Sequence, residues 1–129
     1  MLKAANISRN YGSLQVLKGV DIEIHKSEIV SIVGSSGAGK STLLHILGTL
    51  DKADEGHIWL NGQQINRLSG KKLAAFRNSH IGFVFQFHHL LPEFSALENV
   101  SIPAWIAGKK KKEVAERATE LLTTLGLAD

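Results

Sequence analysis

The sequence predicts an α/β fold with an antiparallel β layer at one side, and three observations support this prediction. A glycine-rich stretch at residues 34–42 lies between an apolar, β-branched run and a segment with helical apolar spacing. Short alternating segments typical of half-exposed strands precede it. A two-residue hairpin signal, Asn61-Gly62, follows it. Strand, glycine loop and helix in this order indicate an α/β core, and the short strands indicate the side layer.

The first part of the chain predicts the side layer and one buried strand. Residues 2–8 read as a strand, and residues 20–24 alternate strictly between apolar and polar. Between them, a turn at Tyr11-Gly12 leads into a short strand at residues 15–17. Residues 29–33 are apolar and β-branched, which predicts a strand at the centre of a parallel sheet.

The middle of the chain predicts a helix after the loop, a hairpin and a second helix. The apolar residues that predict a largely buried first helix are Leu43, Leu44, Ile46, Leu47 and Leu50. Asn61-Gly62 predicts a tight turn that joins strands at residues 57–60 and 63–65. Residues 69–78 read as the second helix.

The last part of the chain predicts one more strand and two helices. Residues 81–85 form an apolar run that reads as a strand. Residues 96–100 predict a short helix, which we expect Pro103 to stop. One apolar helical face is predicted from Val114, Ala118, Leu121, Leu122 and Leu125. Gly126 is expected to end that helix.

The glycine-rich stretch fits the pattern G-x-x-x-x-G-K-[ST], which cradles nucleotide phosphates. The predicted binding residues are Gly34, Ser35, Ser36, Gly37, Ala38, Gly39, Lys40, Ser41 and Thr42. The three glycines let backbone N–H groups approach phosphate oxygens closely. Lys40 supplies a positive charge for the β- and γ-phosphates, and the Ser41 hydroxyl suits a Mg²⁺ ligand. The helix that starts near Lys40 points its positive end at the same anion.

The composition excludes several classes of protein. With 129 residues the chain is long enough for one modest domain, residues 1–129, and too short for two. The net charge of +3 is too small to indicate nucleic acid as a partner. The absence of cysteine excludes disulfides and thiolate metal sites. Since there is no signal-peptide core and no apolar run long enough to span a bilayer, we expect a soluble protein.

Two further residues have open interpretations when they are taken alone. Tyr11 lies upstream of the loop, where its ring offers a face to a nucleotide base. Gln86 ends an apolar run, and its amide oxygen can reach Mg²⁺ or an attacking water. For both residues the commoner case is a structural one, a half-buried tyrosine and a polar residue at a strand end.

Taken together, these residues resemble the front half of an ATP-binding-cassette (ABC) ATPase. Tyr11 matches the adenine-stacking aromatic of that family, residues 34–41 its Walker A loop and Gln86 its Q-loop glutamine. Residues 43–51 and 86–100 are similar to the branch of the family that releases lipoproteins from the inner membrane. The resemblance extends over nearly the whole chain.

The resemblance implies a set of ligands and partners. It implies ATP as the nucleotide, Mg²⁺ held by Ser41 and Gln86, and catalytic roles for Lys40 and Gln86. It also implies a homodimer of ATP-binding subunits, integral-membrane transporter subunits as partners, and a peripheral position at the cytoplasmic face of the inner membrane. In such proteins the region of residues 87–94 faces the membrane subunits, so we expect a docking surface there.

The chain also departs from the family pattern. The family continues with a signature motif, a Walker B aspartate, a catalytic glutamate and a switch histidine, and none of these occurs in residues 1–129. The resemblance therefore implies the N-terminal portion of a single ATP-binding domain, which alone binds nucleotide at most. The alternatives are the ATPase subunit of a macrolide or peptide exporter and a nucleotide-binding fragment without turnover. A GTPase is disfavoured because the chain has no Asn-Lys-x-Asp motif.

Overall fold

The computed structural model describes residues 1–127, which form two compact units, Met1–Arg77 and the residues from Asn78 onward. The strands are β1 (Leu2–Tyr11), β2 (Leu14–Ile24), β3 (Glu55–Leu60) and β4 (Gln63–Gln64). The helices are α1 (Lys40–Leu47), a 3₁₀ helix (Ile65–Arg67), α2 (Gly70–His80), α3 (Ala96–Ile106) and α4 (Lys111–Thr124). None of the helices in this part of the chain is long and apolar enough to cross a membrane.

The first unit contains a four-stranded antiparallel sheet in the order β2-β1-β3-β4, so the predicted side layer is confirmed. The predicted strands at residues 2–8 and 20–24 lie within β1 and β2. The predicted short strand at residues 15–17 is continuous with β2 rather than separate from it. The hairpin is also confirmed, because Trp59 pairs with Gln64 and both Asn61 and Gly62 have positive φ.

Strand β1 contains a bulge that changes which face its side chains occupy. Ala4 and Ile7 are both buried although they are three residues apart, and the pairing register shifts between them. Asn6, with φ of 54°, is the residue at this irregularity. Its backbone N–H donates to the Asp21 carboxylate at 2.8 Å. This side-chain bond replaces the strand-to-strand hydrogen bond that the bulge interrupts.

The core of the first unit lies between the sheet and α1. The buried core residues are Ala4, Ile7, Leu17, Leu43, Ile46, Leu47, Ile58 and Ile65. Of the five residues predicted to bury α1, only Leu43, Ile46 and Leu47 are buried, because they share one helical face. Leu44 and Leu50 are exposed, which corrects the prediction for these two.

The predictions of strands at residues 29–33 and 81–85 are wrong, since neither segment is a strand. Ile29 and Val33 are 98% and 85% exposed. A strand in a parallel sheet exists through hydrogen bonds to neighbouring strands. Within residues 1–127, the sheet strands β1 to β4 pair only with one another, so no ladder forms around either segment.

In the second unit, α3 begins with a capping box. The Ser95 hydroxyl accepts from the Glu98 N–H, and the Glu98 carboxylate accepts from the Ser95 N–H. Hydrogen bonds from the Ser95 hydroxyl and backbone N–H hold the pKa of Glu98 below its ordinary value. Pro103 lies inside α3 and does not stop it, because the helix continues through a bond from the Ala107 N–H to the Pro103 carbonyl.

Helix α4 packs against α3. The last predicted helix is therefore confirmed. Val114, Ala118 and Leu122 are buried at a spacing of four residues. Leu121 and Leu125, which were predicted on the same face, are 39% and 72% exposed. Leu125 follows the last helical residue, and Gly126 has the positive φ typical of a helix end.

Gly56 allows β3 to lie directly against the bulge of β1. We predict that any side chain at this position lowers the free energy of unfolding. Its φ is +102°, and a Cβ would lie 2.6 Å from the Ala5 carbonyl oxygen and in contact with the Asn6 carbonyl. Gly56→Ala in the full-length protein should therefore lower the free energy of unfolding by about 3 kcal/mol or more.

Gly62→Ala is the matched control for this prediction. Gly62 also has positive φ, but nothing lies within 4 Å of the position of its Cβ. It should lose only about 1 kcal/mol, the cost of the backbone conformation. Urea unfolding of the two variants measures the difference, and equal losses would contradict the steric explanation.

Candidate functional site

The nine predicted phosphate-binding residues lie in one continuous segment that runs from a loop into the first turn of α1. Gly39 caps the helix in a left-handed conformation with φ of 86°. A Cβ on Gly39 would lie 2.9 Å from Val16 Cγ1 and 3.0 Å from Leu17 Cδ2. Glycine is therefore required at this position, because the end of the loop lies against β2.

Lys40 bonds back across the loop. Its ammonium nitrogen Nζ donates to the Gly34 carbonyl at 2.9 Å and to the Ser35 carbonyl at 2.6 Å. The backbone N–H of Ala38 donates to the Ser35 carbonyl at 3.2 Å, which closes a turn within the loop. The charge of Lys40 is thus held at the loop rather than extended into solvent.

A cavity of about 230 Å³ lies where the loop meets α1. Its lining residues are Val16, Gly37, Gly39, Lys40, Ser41 and Thr42. The first turn of α1 contains no acidic residue, so the positive end of the helix is not neutralised by its own side chains. Backbone N–H groups, a lysine and two hydroxyls around one cavity form a site suited to an anion such as phosphate.

Tyr11 lies at the end of β1 with 47% of its surface exposed. Its hydroxyl donates to Asp51 Oδ2 at 2.9 Å. The Arg9 guanidinium carbon lies 4.8 Å from the centre of the Tyr11 ring, which is a cation–π distance. The ring is therefore fixed at its hydroxyl and covered by Arg9 on one face.

Arg9 joins two aspartates that follow α1. Its Nη1 donates to Asp54 Oδ1 at 2.9 Å and its Nη2 to Asp51 Oδ1 at 3.1 Å. Hydrogen bonds from the Asn10 N–H and from Arg9 hold the pKa of Asp54 below its ordinary value. Burial pushes the pKa of Asp51 upward, but hydrogen bonds from the Lys52 N–H and the Tyr11 hydroxyl, with the Arg9 charge, bring it below the ordinary value. Both carboxylates are therefore ionised at neutral pH.

The sequence did not predict Arg9, Asp51 or Asp54 as site residues. Arg9 lies 42 and 45 positions before the two aspartates, and the three residues match no pattern for a binding site. The pairing of β1 with β3 brings them together, since Asp54 directly precedes β3. Only the antiparallel register could have indicated their proximity.

Gln86 lies in the second unit, in a bend where its side chain is exposed. The role predicted for it remains a prediction. Apolar side chains around it are also exposed, among them Phe87 (69%) and Leu91 (45%). Asn99 holds this segment in place, because its amide bonds to the Leu91 N–H, the Leu91 carbonyl and the Phe94 carbonyl.

Comparison with known families and sequences gives a consistent result. The model of the family described as ABC transporter matches residues 17–129. The lipoprotein-releasing system ATP-binding protein LolD of Bacteroides thetaiotaomicron is 61% identical over 129 residues. LolD of Aquifex aeolicus is 49% identical over 129 residues. The alignments cover 100% of this chain, but only 59% and 58% of those relatives.

Solved structures agree with the sequence comparisons. The dimeric bacterial ABC transporter cassette MJ0796 superimposes with a TM-score of 0.87 at 38% identity. The same cassette in a dimeric post-hydrolysis state, bound to ADP and Pi, gives a TM-score of 0.84 at 38% identity. Each match covers 95% of this chain and 56% of the other. The predicted fold class, a partial α/β phosphate-loop fold with an antiparallel side layer, is confirmed.

The contacts of Lys40 lead to a binding prediction. Lys40→Ala removes the charge held at the loop, so in the full-length protein it should weaken ATP binding by at least about tenfold, or roughly 1.4 kcal/mol. Lys71→Ala is the control, since Lys71 is an exposed lysine on α2 and lines no part of the cavity. Isothermal titration measures both, and unchanged affinity in Lys40→Ala would refute the assignment.

Proposed function

The chain belongs to the ABC transporter family, and on that premise we propose that it is the N-terminal portion of an ATP-binding subunit. The chain spans about 59% of the length of the curated relatives it matches. The full-length protein then hydrolyses ATP and uses the energy to release lipoproteins from the inner membrane. The LolD relatives are lipoprotein-releasing ATP-binding proteins, which supports this substrate.

One observation carries the proposal: the geometry of the phosphate loop. Lys40, the N-terminal turn of α1 and the glycine-lined cavity bring a charge and backbone donors to one place. Charge-assisted hydrogen bonds of this kind favour the triphosphate of a nucleotide. We assign the whole segment 34–42 to phosphate binding.

The base end of the nucleotide is assigned to Tyr11. Nearly half of its surface is exposed, and a stacked base would lie on the ring face opposite Arg9. Stacking accepts any base, so the preference for ATP rests on the family resemblance rather than on Tyr11.

We propose Mg²⁺ as the metal at the phosphate end. The Ser41 hydroxyl lines the cavity there and is a hard oxygen donor. The second oxygen donor, the amide of Gln86, is assigned on the family resemblance. When bound, Mg²⁺ would neutralise charge on the β- and γ-phosphates. In this assignment Lys40 stabilises phosphate charge, and Gln86 acts at the metal or the attacking water.

Hydrolysis is assigned to the longer protein and not to this segment alone. In-line attack on the γ-phosphate needs a positioned water and a group that accepts its proton. Lys40, Ser41 and Gln86 supply electrostatic stabilisation, but none of them is a carboxylate general base. We propose that a homodimer of full-length subunits completes the site. The dimeric state of the MJ0796 cassette supports this arrangement.

The exposed apolar segment of the second unit is assigned to docking on integral-membrane subunits. Its exposed members are Phe87, Leu90, Leu91 and Phe94. Apolar side chains grouped on one short segment are typical of protein interfaces. Such docking places the protein peripherally at the cytoplasmic face of the inner membrane.

The main alternatives keep the same nucleotide site. One is the ATPase subunit of a macrolide or peptide exporter, and the other is a nucleotide-binding fragment without turnover. The identity of 49–61% to lipoprotein-releasing relatives favours lipoprotein release over the exporter.

We predict that the full-length protein, reconstituted with its membrane partners, releases lipoprotein only with ATP. Residues 1–129 alone should show no measurable phosphate release with Mg²⁺ and ATP. Lys40→Ala in the full-length protein should abolish both phosphate release and lipoprotein release. ATPase activity of the chain alone that Lys40→Ala abolishes would contradict the assignment, as would ATP-dependent export of a macrolide instead of lipoprotein release.

The docking segment gives a separate prediction. Leu91→Asp places a charge on an exposed side chain, so ATP affinity should be unchanged while co-purification with the membrane subunits is lost. Leu14→Asp is the control, because Leu14 is 65% exposed at the β1–β2 turn, outside the segment. A Leu91→Asp variant that fails to fold would show that Leu91 is buried in the full-length protein.

A further inference from the structure

Four side chains form a connected network at the base end of the proposed site. Arg9 contacts Asp54, Asp51 and the ring of Tyr11, and Asp51 also accepts the Tyr11 hydroxyl. Each carboxylate is anchored a second time through the backbone. Asp54 accepts from the Asn10 N–H at 2.6 Å, and Asp51 from the Lys52 N–H at 2.7 Å.

This network joins two elements that carry the two ends of the nucleotide site. Arg9 and Tyr11 belong to the end of β1, whereas Asp51 follows α1 and bonds through its backbone N–H to the His45 carbonyl in that helix. Helix α1 begins at Lys40, in the phosphate loop. The hydroxyl of Tyr11 is therefore attached, through Asp51 and one short helix, to the loop residue with the critical charge.

We propose that Arg9 and Asp51 are positioning residues that hold the Tyr11 ring in the orientation that receives the base. They would thereby fix the base platform relative to the phosphate loop. This inference rests on the proposed function of Tyr11 as a stacking residue. It names Arg9 and Asp51 as the residues that hold the stacking ring in place.

Exposure and geometry make such support necessary. A half-exposed tyrosine at a strand end can rotate about two side-chain bonds, and each rotation moves the stacking face. The Asp51 hydrogen bond fixes the edge of the ring, and the Arg9 guanidinium covers one face. Only the opposite face then accepts a base, so the entropy of ordering the ring is lost before the nucleotide binds.

A purely stabilising role is the competing explanation. The Arg9 and Asp51 side chains are 21% and 31% exposed, and ion pairs that reach solvent contribute little to the free energy of unfolding. A stabilising network would also affect every ligand of the loop equally. A positioning network affects only ligands that possess a base.

The experiment compares ATP with inorganic tripolyphosphate, which has the phosphates but no base. Tyr11→Phe keeps the ring and removes only the hydroxyl bonded to Asp51. In the full-length protein it should weaken ATP binding by about threefold, the effect of one lost hydrogen bond, and leave tripolyphosphate affinity unchanged. Asp51→Ala should weaken ATP binding at least as much, again without effect on tripolyphosphate.

Combining the two changes tests whether they act through the same contact. Tyr11→Phe with Asp51→Ala should weaken ATP binding no more than Asp51→Ala alone, because the hydrogen bond can be lost only once. Glu93→Ala is the control, since Glu93 is an exposed acidic residue in the second unit, and it should change neither affinity. Thermal melting by circular dichroism checks that each variant is folded, and Tyr11→Phe decides alone if Asp51→Ala does not fold.

Tyr11→Ala separates the failure of this inference from the failure of the proposed function. If Tyr11→Ala leaves ATP affinity unchanged, the stacking role itself is wrong. If Tyr11→Ala weakens ATP binding but Tyr11→Phe does not, the stacking role holds and the positioning role of Asp51 is overturned. Equal weakening of ATP and tripolyphosphate in Tyr11→Phe or Asp51→Ala would also overturn it, since the network would then act on the loop as a whole.

Discussion

The pairing of β1 on both of its edges is the interaction on which the first unit depends. β2 pairs along one edge and β3 along the other, and the bulge at Asn6 turns both Ala4 and Ile7 into the core. β2 in turn supplies the surface against which Gly39 and the loop end lie. β3 brings Asp54 beside the end of β1. One strand thus positions both ends of the candidate nucleotide site.

The two ends of the candidate site differ in how they are built. At the phosphate end the donors come from backbone N–H groups, a helix terminus and Lys40, all within nine consecutive residues. Such a site is local, because a short loop and one helical turn determine its geometry. At the base end, Tyr11 depends on residues about 40 positions away, which contact it through a network of charged side chains. The base end therefore depends on the sheet.

The segment expected at the centre of a parallel sheet shows how far a local sequence pattern can predict a strand. Residues 29–33 have the composition of a buried strand, yet Ile29 is almost fully exposed. β-Branched side chains favour extended backbone, but a strand exists only when neighbouring strands accept and donate its hydrogen bonds. Among residues 1–127, the antiparallel strands form their hydrogen bonds with one another, and none of them pairs with this segment. The composition of this segment alone was therefore insufficient to predict a strand.

By itself, the sequence determined the glycine-rich loop at residues 34–42, the helix that follows it, the Asn61-Gly62 turn and the last helix. Each of these depends on a few adjacent residues, through glycine conformations or helical spacing. Only the tertiary structure showed that residues 29–33 and 81–85 are not strands, that α3 continues through Pro103, and that Leu44 is exposed. It alone also placed Arg9 between Asp51 and Asp54 and against Tyr11. The physical reason is that strand pairing and side-chain packing bring together residues that are distant in the chain. A local sequence pattern does not identify such partners.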